Sequence, residues 1–248
     1  MDCVLRGTEY LRAMKSYGQF CPVAQALEVI GDRWTLLVIR ELLSGSRRFG
    51  EILNGVRRIP RSVLADRLEH LEHEGLVRRR EGQQGPEYEP TEAACALEDI
   101  VMGLGKWSRQ WAHREIRDDE LDPTLLLWDM QRRIDSDAAP DGLVVVRFDF
   151  RDRKQGFVRY WLKIDRGRGE VCMKNPGLDE SLVVQTTPRT LIEVWMGYRE
   201  FGAAIRSGDL TVEGPKTLAR SLPKWFRLNI FTEMDRAPET VRAGATRH

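Results

Sequence analysis

The sequence predicts an α+β protein of two domains, an N-terminal winged helix-turn-helix followed by a C-terminal domain of strands and helices. Three observations predict it. With 248 residues the chain can bury two modest cores. Its first half reads as short helices, a tight turn, a longer helix and a basic hairpin. Its second half, beyond a short polar stretch bearing Pro and Gly, carries apolar runs of strand length. The expected boundaries are 17–117 for the first domain, 118–142 for a connector helix and linker, and 143–235 for the second.

From Pro22 to Asp32, Val23, Ala26, Leu27 and Ile30 recur at helical spacing, and Pro22 suits a helix's first turn. Gly31 and Asp32 interrupt that helix. A second, from about Thr35 to Leu43, is apolar nearly all round and should be central; Ser44-Gly45 ends it. A short helix near Phe49–Val56, a turn at Arg57–Pro60 and a helix from about Arg61 to Glu74 complete a helix-turn-helix outline. Leu64, Leu68 and Leu71 form the buried stripe of that last helix, so Ser62, Asp66 and Glu69 point outward.

Leu76 to Arg80 then reads as a strand, Glu81 to Pro86 as a turn and Glu87 to Pro90 as a returning strand, which together make a wing. After Thr91 a helix from Glu92 to about Arg114 carries Leu97, Ile100, Val101, Leu104, Trp107 and Trp111. This is more apolar surface than a small winged domain needs, so part of it is expected to face a second subunit.

Composition sets the other bounds. The chain is 42% hydrophobic and 31% charged, which suits a folded soluble protein. No apolar run approaches bilayer length and Met1 to Lys15 is not leader-like, so the cytoplasm is the expected compartment and no membrane is expected as a partner. Cys3, Cys21, Cys95 and Cys172 are widely separated, with no CxxC or other zinc spacing, and read as reduced thiols. His70 and His73, one turn apart, read as a solvated helix face without a cysteine to complete a metal set. No metal or cofactor is expected. A net charge of +1 hides a crowding of Arg47, Arg48, Arg57, Arg58, Arg61, Arg67, Arg78, Arg79 and Arg80, the candidate polyanion-binding region.

Several separated motifs carry a resemblance. They are Cys21-Pro22-Val23-Ala24, Gly31-Asp32-Arg33-Trp34-Thr35-Leu36-Leu37, Arg40-Glu41-Leu42-Leu43, Arg47-Arg48-Phe49, and the run from Leu64 to Glu72 followed by Gly75-Leu76-Val77. In this order and spacing, from about Tyr17 to Arg114, the chain resembles the HxlR-type (MarR-like) winged-helix regulators. The resemblance implies a homodimer held by the first and last helices of the domain, bound to double-stranded DNA at inverted repeats.

On such a domain the start of the longer helix enters the major groove, so Arg61, Ser62 and Asp66 are the residues able to approach base edges. Arg61 can hydrogen-bond guanine. Asp66 is either repelled by phosphates or accepts from cytosine N4, and the sequence leaves both open. Arg47, Arg48, Arg57 and Arg58 are matched to phosphates, and Arg67 is counted among the DNA-binding residues. Strand alternation sends Arg79 away from Arg78 and Arg80, so those two are the wing's DNA-binding residues.

Cys21 stands just before the first helix, where backbone N–H groups and the helix dipole can stabilise a thiolate. The resemblance adds that some HxlR-type regulators sense oxidants or electrophiles through a cysteine at this place. The alternative is a small apolar residue at a dimer contact.

Beyond this region, Asp122 and Pro123 read as the N-cap and first residue of a connector helix with Leu126, Leu127, Met130 and Ile134 on its apolar face. Ser136 to Gly142 is the linker. Strands follow at Leu143–Phe150, Phe157–Asp165, Gly169–Lys174 and Leu182–Thr187. A helix spans about Arg189–Tyr198, a short strand lies within Gly208–Gly214, and a last helix carries Leu218, Leu222, Trp225 and Phe226. This order, over about Leu143 to Phe231, resembles the SCP2 (sterol carrier protein) type of α+β domain. The resemblance implies an apolar cavity and a small hydrophobic effector, with Trp161, Trp195, Met196, Tyr198, Trp225 and Phe226 as candidate lining residues.

Catalytic residues are not expected. There is no GxSxG elbow, no HExxH site and no complete Walker or GxGxxG loop; Gly103-Leu104-Gly105-Lys106 lacks the earlier Gly and the following Ser or Thr. The expected function is a DNA-binding repressor modulated by the effector. The alternatives are a carrier of hydrophobic ligands or an enzyme whose winged helix mediates protein contacts, and a second domain that is only an assembly module.

Overall fold

In the computed structural model, residues 16–112, 115–152 and 156–232 are described. The segment Met1 to Lys15 with Cys3, the end of the expected helix at Arg114, most of the turn from Arg151 to Gln155, and residues 233–235 of the expected second domain lie outside them. The chain divides into two compact units, residues 1–102 and 103–248, so the division falls inside a helix rather than at residue 117.

The first unit contains helices α1 (Pro22–Ile30), α2 (Thr35–Leu43), α3 (Phe49–Gly55) and α4 (Arg61–His73), the strands β1 (Val77–Gly82) and β2 (Gly85–Pro90), and α5 (Glu92–Cys95). Pro22 begins α1, where its missing N–H costs no hydrogen bond. The apolar α2 is central as expected: Val38, Ile39 and Leu42 are fully buried. They pack with Ile52 of α3 and with the Leu64, Leu68 and Leu71 stripe of α4. Full burial of each such side chain is worth roughly 1.5–3 kcal/mol.

β1 and β2 pair antiparallel from Val77 opposite Pro90 to Gly82 opposite Gly85, leaving Gln83 and Gln84 as the turn. The strands therefore run further than the Gly-bearing turn suggests. The single helix expected after Thr91 is two: α5, capped by the Thr91 hydroxyl, and α6 (Glu98–Trp111). The break at Ala96-Leu97 seats Ala94 in the core and turns Leu97 and Val101 against it.

The second unit begins within α6. A 3-10 turn (Asp118–Glu120) leads to α7 (Pro123–Gln131), whose N-cap Asp122 carboxylate accepts from the Thr124 N–H at 2.8 Å and the Leu125 N–H at 3.2 Å. The sheet consists of β3 (Val144–Asp152), β4 (Gly156–Asp165), β5 (Arg168–Cys172), β6 (Leu182–Thr186) and β7 (Thr211–Glu213) in the order β5-β4-β3-β6-β7. Only β3 and β6 are parallel.

Phe148, Phe150, Leu162, Ile164 and Val184 line one face of this sheet, where α7 and α8 (Pro188–Trp195) cover them. The short α9 (Phe201–Arg206) spans less than two helical turns, too short for the spacing of Phe201, Ala204 and Ile205 to announce it in the sequence. The expected last helix is a short α10 (Lys216–Ser221) running into a 3-10 turn at Leu222–Trp225 that contains Pro223. No described helix is long and apolar enough to cross a membrane.

Candidate nucleic-acid interface

The N-terminus of α4 lies at the surface of the first unit. Pro60 leads into it with extended backbone, and Arg61, Ser62 and Asp66 are all exposed beside the buried stripe. The Arg61 guanidinium lies over the Phe49 ring, 5.1 Å from its centroid, which holds the cation at the junction of α3 and α4. Arg57 and Arg58, on the turn before α4, are exposed, as is Arg78 on β1.

Arg47, Arg48, Arg67, Arg79 and Arg80 make contacts within the fold. The Arg47 guanidinium donates to the Leu42 carbonyl at 2.6 Å and the Ser46 carbonyl at 2.9 Å, closing the C-terminal end of α2. Arg48 reaches the wing, donating to Gln84 Oε1 at 2.7 Å and Glu87 Oε1 at 3.4 Å. Its backbone forms a bridge to Glu87, and the Arg47 carbonyl accepts from the Tyr88 N–H at 2.7 Å. Arg67 is turned toward Asp32 and pairs with it. Arg80 pairs with Glu89 at 3.0 Å, and Arg79 lies 3.8 Å from Glu81. Net charge crowding in a sequence does not show which arginines close a helix end or pin a wing.

His70 also departs from the sequence reading of a solvated face. Its Nε2 lies 3.0 Å from the Val29 carbonyl, joining α4 to α1. A buried carboxylate that sequence reasoning missed, Glu41 at 3% exposure, accepts from Arg40 at 2.9 Å and from the Ser46 hydroxyl at 3.3 Å.

Cys21 is the N-cap of α1, with extended backbone. The backbone N–H groups of Ala24 and then Val23, at the start of α1, favour its thiolate and pull its pKa below the ordinary thiol value. Cys172 goes the other way, because burial disfavours its thiolate.

In the second unit the apolar cavity has a volume of about 440 Å³ and is walled by Met130, Phe148, Val184, Leu191 and Val194. Of the six residues expected to line it, Trp195, Tyr198 and Phe226 do. Met196 borders a different, second pocket. Trp225 is fully buried in the core, its Nε1–H donating to the Ser221 hydroxyl at 3.1 Å. Trp161 is a correction: it stands on the opposite face of the sheet from the cavity and donates to Glu180 at 2.8 Å. The reason is strand parity, since Leu162 and Ile164 of β4 point into the core and Trp161 must point away.

Two short helices, a tight turn, a longer helix with a free N-terminus and an adjoining basic hairpin define a winged helix-turn-helix, a DNA-binding class of domain. The HxlR-like helix-turn-helix family matches residues 29–116. The uncharacterized HTH-type transcriptional regulator YvaP of Bacillus subtilis (strain 168) is 35% identical over 97 residues, which are 38% of this chain and 90% of that protein. Rv3095 of Mycobacterium tuberculosis (strain ATCC 25618 / H37Rv), also an uncharacterized HTH-type transcriptional regulator, is 39% identical over 95 residues, 37% of this chain and 60% of its own length. Among solved structures, the reduced form of the transcriptional regulator YodB from B. subtilis is 29% identical, covering 40% of this chain and all of that one with a TM-score of 0.35. The chain belongs to the HxlR-like helix-turn-helix family.

Proposed function

We propose that this chain is a transcription regulator, a repressor, that binds an inverted-repeat operator in duplex DNA as a homodimer and takes a small hydrophobic effector in its second unit. The observation that carries the reading is the exposed N-terminus of α4, with Arg61 and Ser62 uncovered, on a winged helix-turn-helix of this family. Arg61, Ser62 and Asp66 read base edges. Arg57, Arg58 and Arg78 meet phosphates, and Arg48 acts through the wing that it pins.

Exposed apolar side chains on α1 and α6 support the dimer. Val23 and Leu27 on α1, and Ile100, Leu104, Trp107 and Trp111 on α6, are between 42% and 66% exposed. Such a surface costs free energy in water unless a second copy covers it. Cys21 serves as an oxidant sensor in this reading, supported by its place at the start of α1 and its lowered pKa.

The second unit is read as an SCP2-like domain, supported by the strand and helix order and by the cavity of about 440 Å³. An effector there changes DNA affinity only by favouring one dimer geometry over another. Selection from random duplex DNA tests the assignment. An inverted repeat with half-sites about one helical turn apart is expected. If no repeat is enriched, the winged helix is a protein-contact module and the hydrophobic-ligand carrier takes the place of the regulator.

A further inference from the structure

We propose that the second unit holds an anion site built on Arg109, fitted to a carboxylate carried by an apolar body. Arg109 stands on the part of α6 that belongs to the second unit and is only 7% exposed. One guanidinium N–H donates to the Met196 carbonyl at 3.1 Å, and its Cζ lies 4.7 Å from the centroid of the Tyr198 ring. Its Nε is buried without a hydrogen-bond partner. Among the described residues no carboxylate pairs with it.

A guanidinium withdrawn from water is costly unless an anion or a full set of acceptors replaces the lost hydration. One carbonyl and one ring face do not supply that set, because the group carries five N–H donors. Arg109 itself lines a pocket of about 330 Å³ whose other walls include Ala112, Ile116, Met196 and Phe231. The acidic residue on that wall, Glu120, is turned to Arg117: it accepts from the Arg117 backbone N–H at 2.9 Å and lies 3.8 Å from its guanidinium.

A planar carboxylate matches the donor fork of a guanidinium, and apolar walls favour a ring or short alkyl chain behind it. Gly105 lets the pocket form in this shape. A β-carbon there would stand 2.2 Å from the Phe231 ring, so a glycine is what admits that ring against α6. The site is independent of the DNA-binding assignment.

Calorimetric titration of the full chain with phenylacetate and with octanoate tests it, using phenylacetamide and octanamide as neutral counterparts. At least one acid is expected to bind about tenfold or more tightly than its amide. Arg109→Gln should weaken that acid by a similar factor, and Arg109→Lys should keep part of the affinity. Ala112→Trp, which fills the pocket from its rim, should abolish binding without touching the charge. The proposal is overturned if acid and amide bind alike, if neither acid binds up to millimolar concentration, or if a folded Arg109→Gln or Ala112→Trp protein binds the acid like wild type. The acid and amide comparison on wild type, with Ala112→Trp, decides the matter even if Arg109→Gln does not fold.

Discussion

The Arg67 guanidinium of α4 is paired with the Asp32 carboxylate in the turn that follows α1, and the Arg67 side chain is only 17% exposed. This pair fastens the Gly31-Asp32-Arg33-Trp34 turn to the helix that presents Arg61. It also gives that turn a role in positioning α4, which a count of basic residues does not suggest. Asp32→Ala leaves Arg67 largely buried without its carboxylate and should cost about 1–3 kcal/mol in denaturant unfolding. Arg67→Met, which removes the charge and keeps much of the volume, should cost less than Asp32→Ala. The reverse order would mean that the pair does not anchor the turn.

Glu41 and Gly55 make a second, tighter relationship. A β-carbon on Gly55 would stand 1.8 Å from Glu41 Oε2, so the α3 end is closed over a buried carboxylate. Gly55→Ala is expected to lose about 1–3 kcal/mol by overpacking. Combined with Glu41→Ala, which opens the space, the total destabilisation should fall short of the sum of the two single effects. Additive effects in thermal or urea unfolding would contradict the packing described.

The two displaced thiol pKa values predict reactivity. A lowered pKa keeps Cys21 as thiolate to lower pH, whereas burial holds Cys172 as thiol to higher pH. Alkylation by iodoacetamide, followed peptide by peptide with mass spectrometry, should reach half its limiting rate at a lower pH for Cys21 than for Cys172. Substituting Cys21→Ser should leave DNA binding intact while making it insensitive to a mild oxidant. Coincident profiles, or equal oxidant sensitivity in both proteins, would remove Cys21 from the sensing role.

How far the sequence reaches depends on the kind of physics involved. Periodicity is a local property, so the Leu64, Leu68 and Leu71 stripe, the central α2 and the Asp122 cap are all legible in the chain. Strand parity would also have placed Trp161 on the outer face, because Leu162 and Ile164 have the opposite parity. The fates of Arg47, Arg48 and Arg67 depend on partners from 1 to 39 residues away, among them Ser46, Asp32 and Glu87, and no local pattern ranks such partners against phosphates. Arg109 is hidden for the same reason. Its burial comes from Met196 and Tyr198, nearly 90 residues further on.

The proposed dimer predicts a concentration dependence. The exposed Trp107 and Trp111 on α6 should become shielded in the assembled protein. Light scattering at micromolar concentration should report twice the chain mass, and Leu104→Glu should shift the protein toward monomer. A monomeric wild type at that concentration would contradict the dimer.

The central claim, that the α4 end reads bases while its neighbours meet phosphates, is tested most directly by a salt-dependent binding comparison. Wild type, Arg61→Ala and Arg78→Ala are titrated onto the selected operator and its single-position variants, with the folding of each confirmed by its thermal transition. Arg61→Ala should cost roughly 1–3 kcal/mol and relax preference at one position in each half-site. Arg78→Ala should weaken all sequences alike and reduce the slope of log K against log salt by about 1 for each phosphate that is no longer neutralised. If both folded variants bind like wild type, with unchanged sequence preference and salt slope, the surface around α4 is not the one that meets DNA.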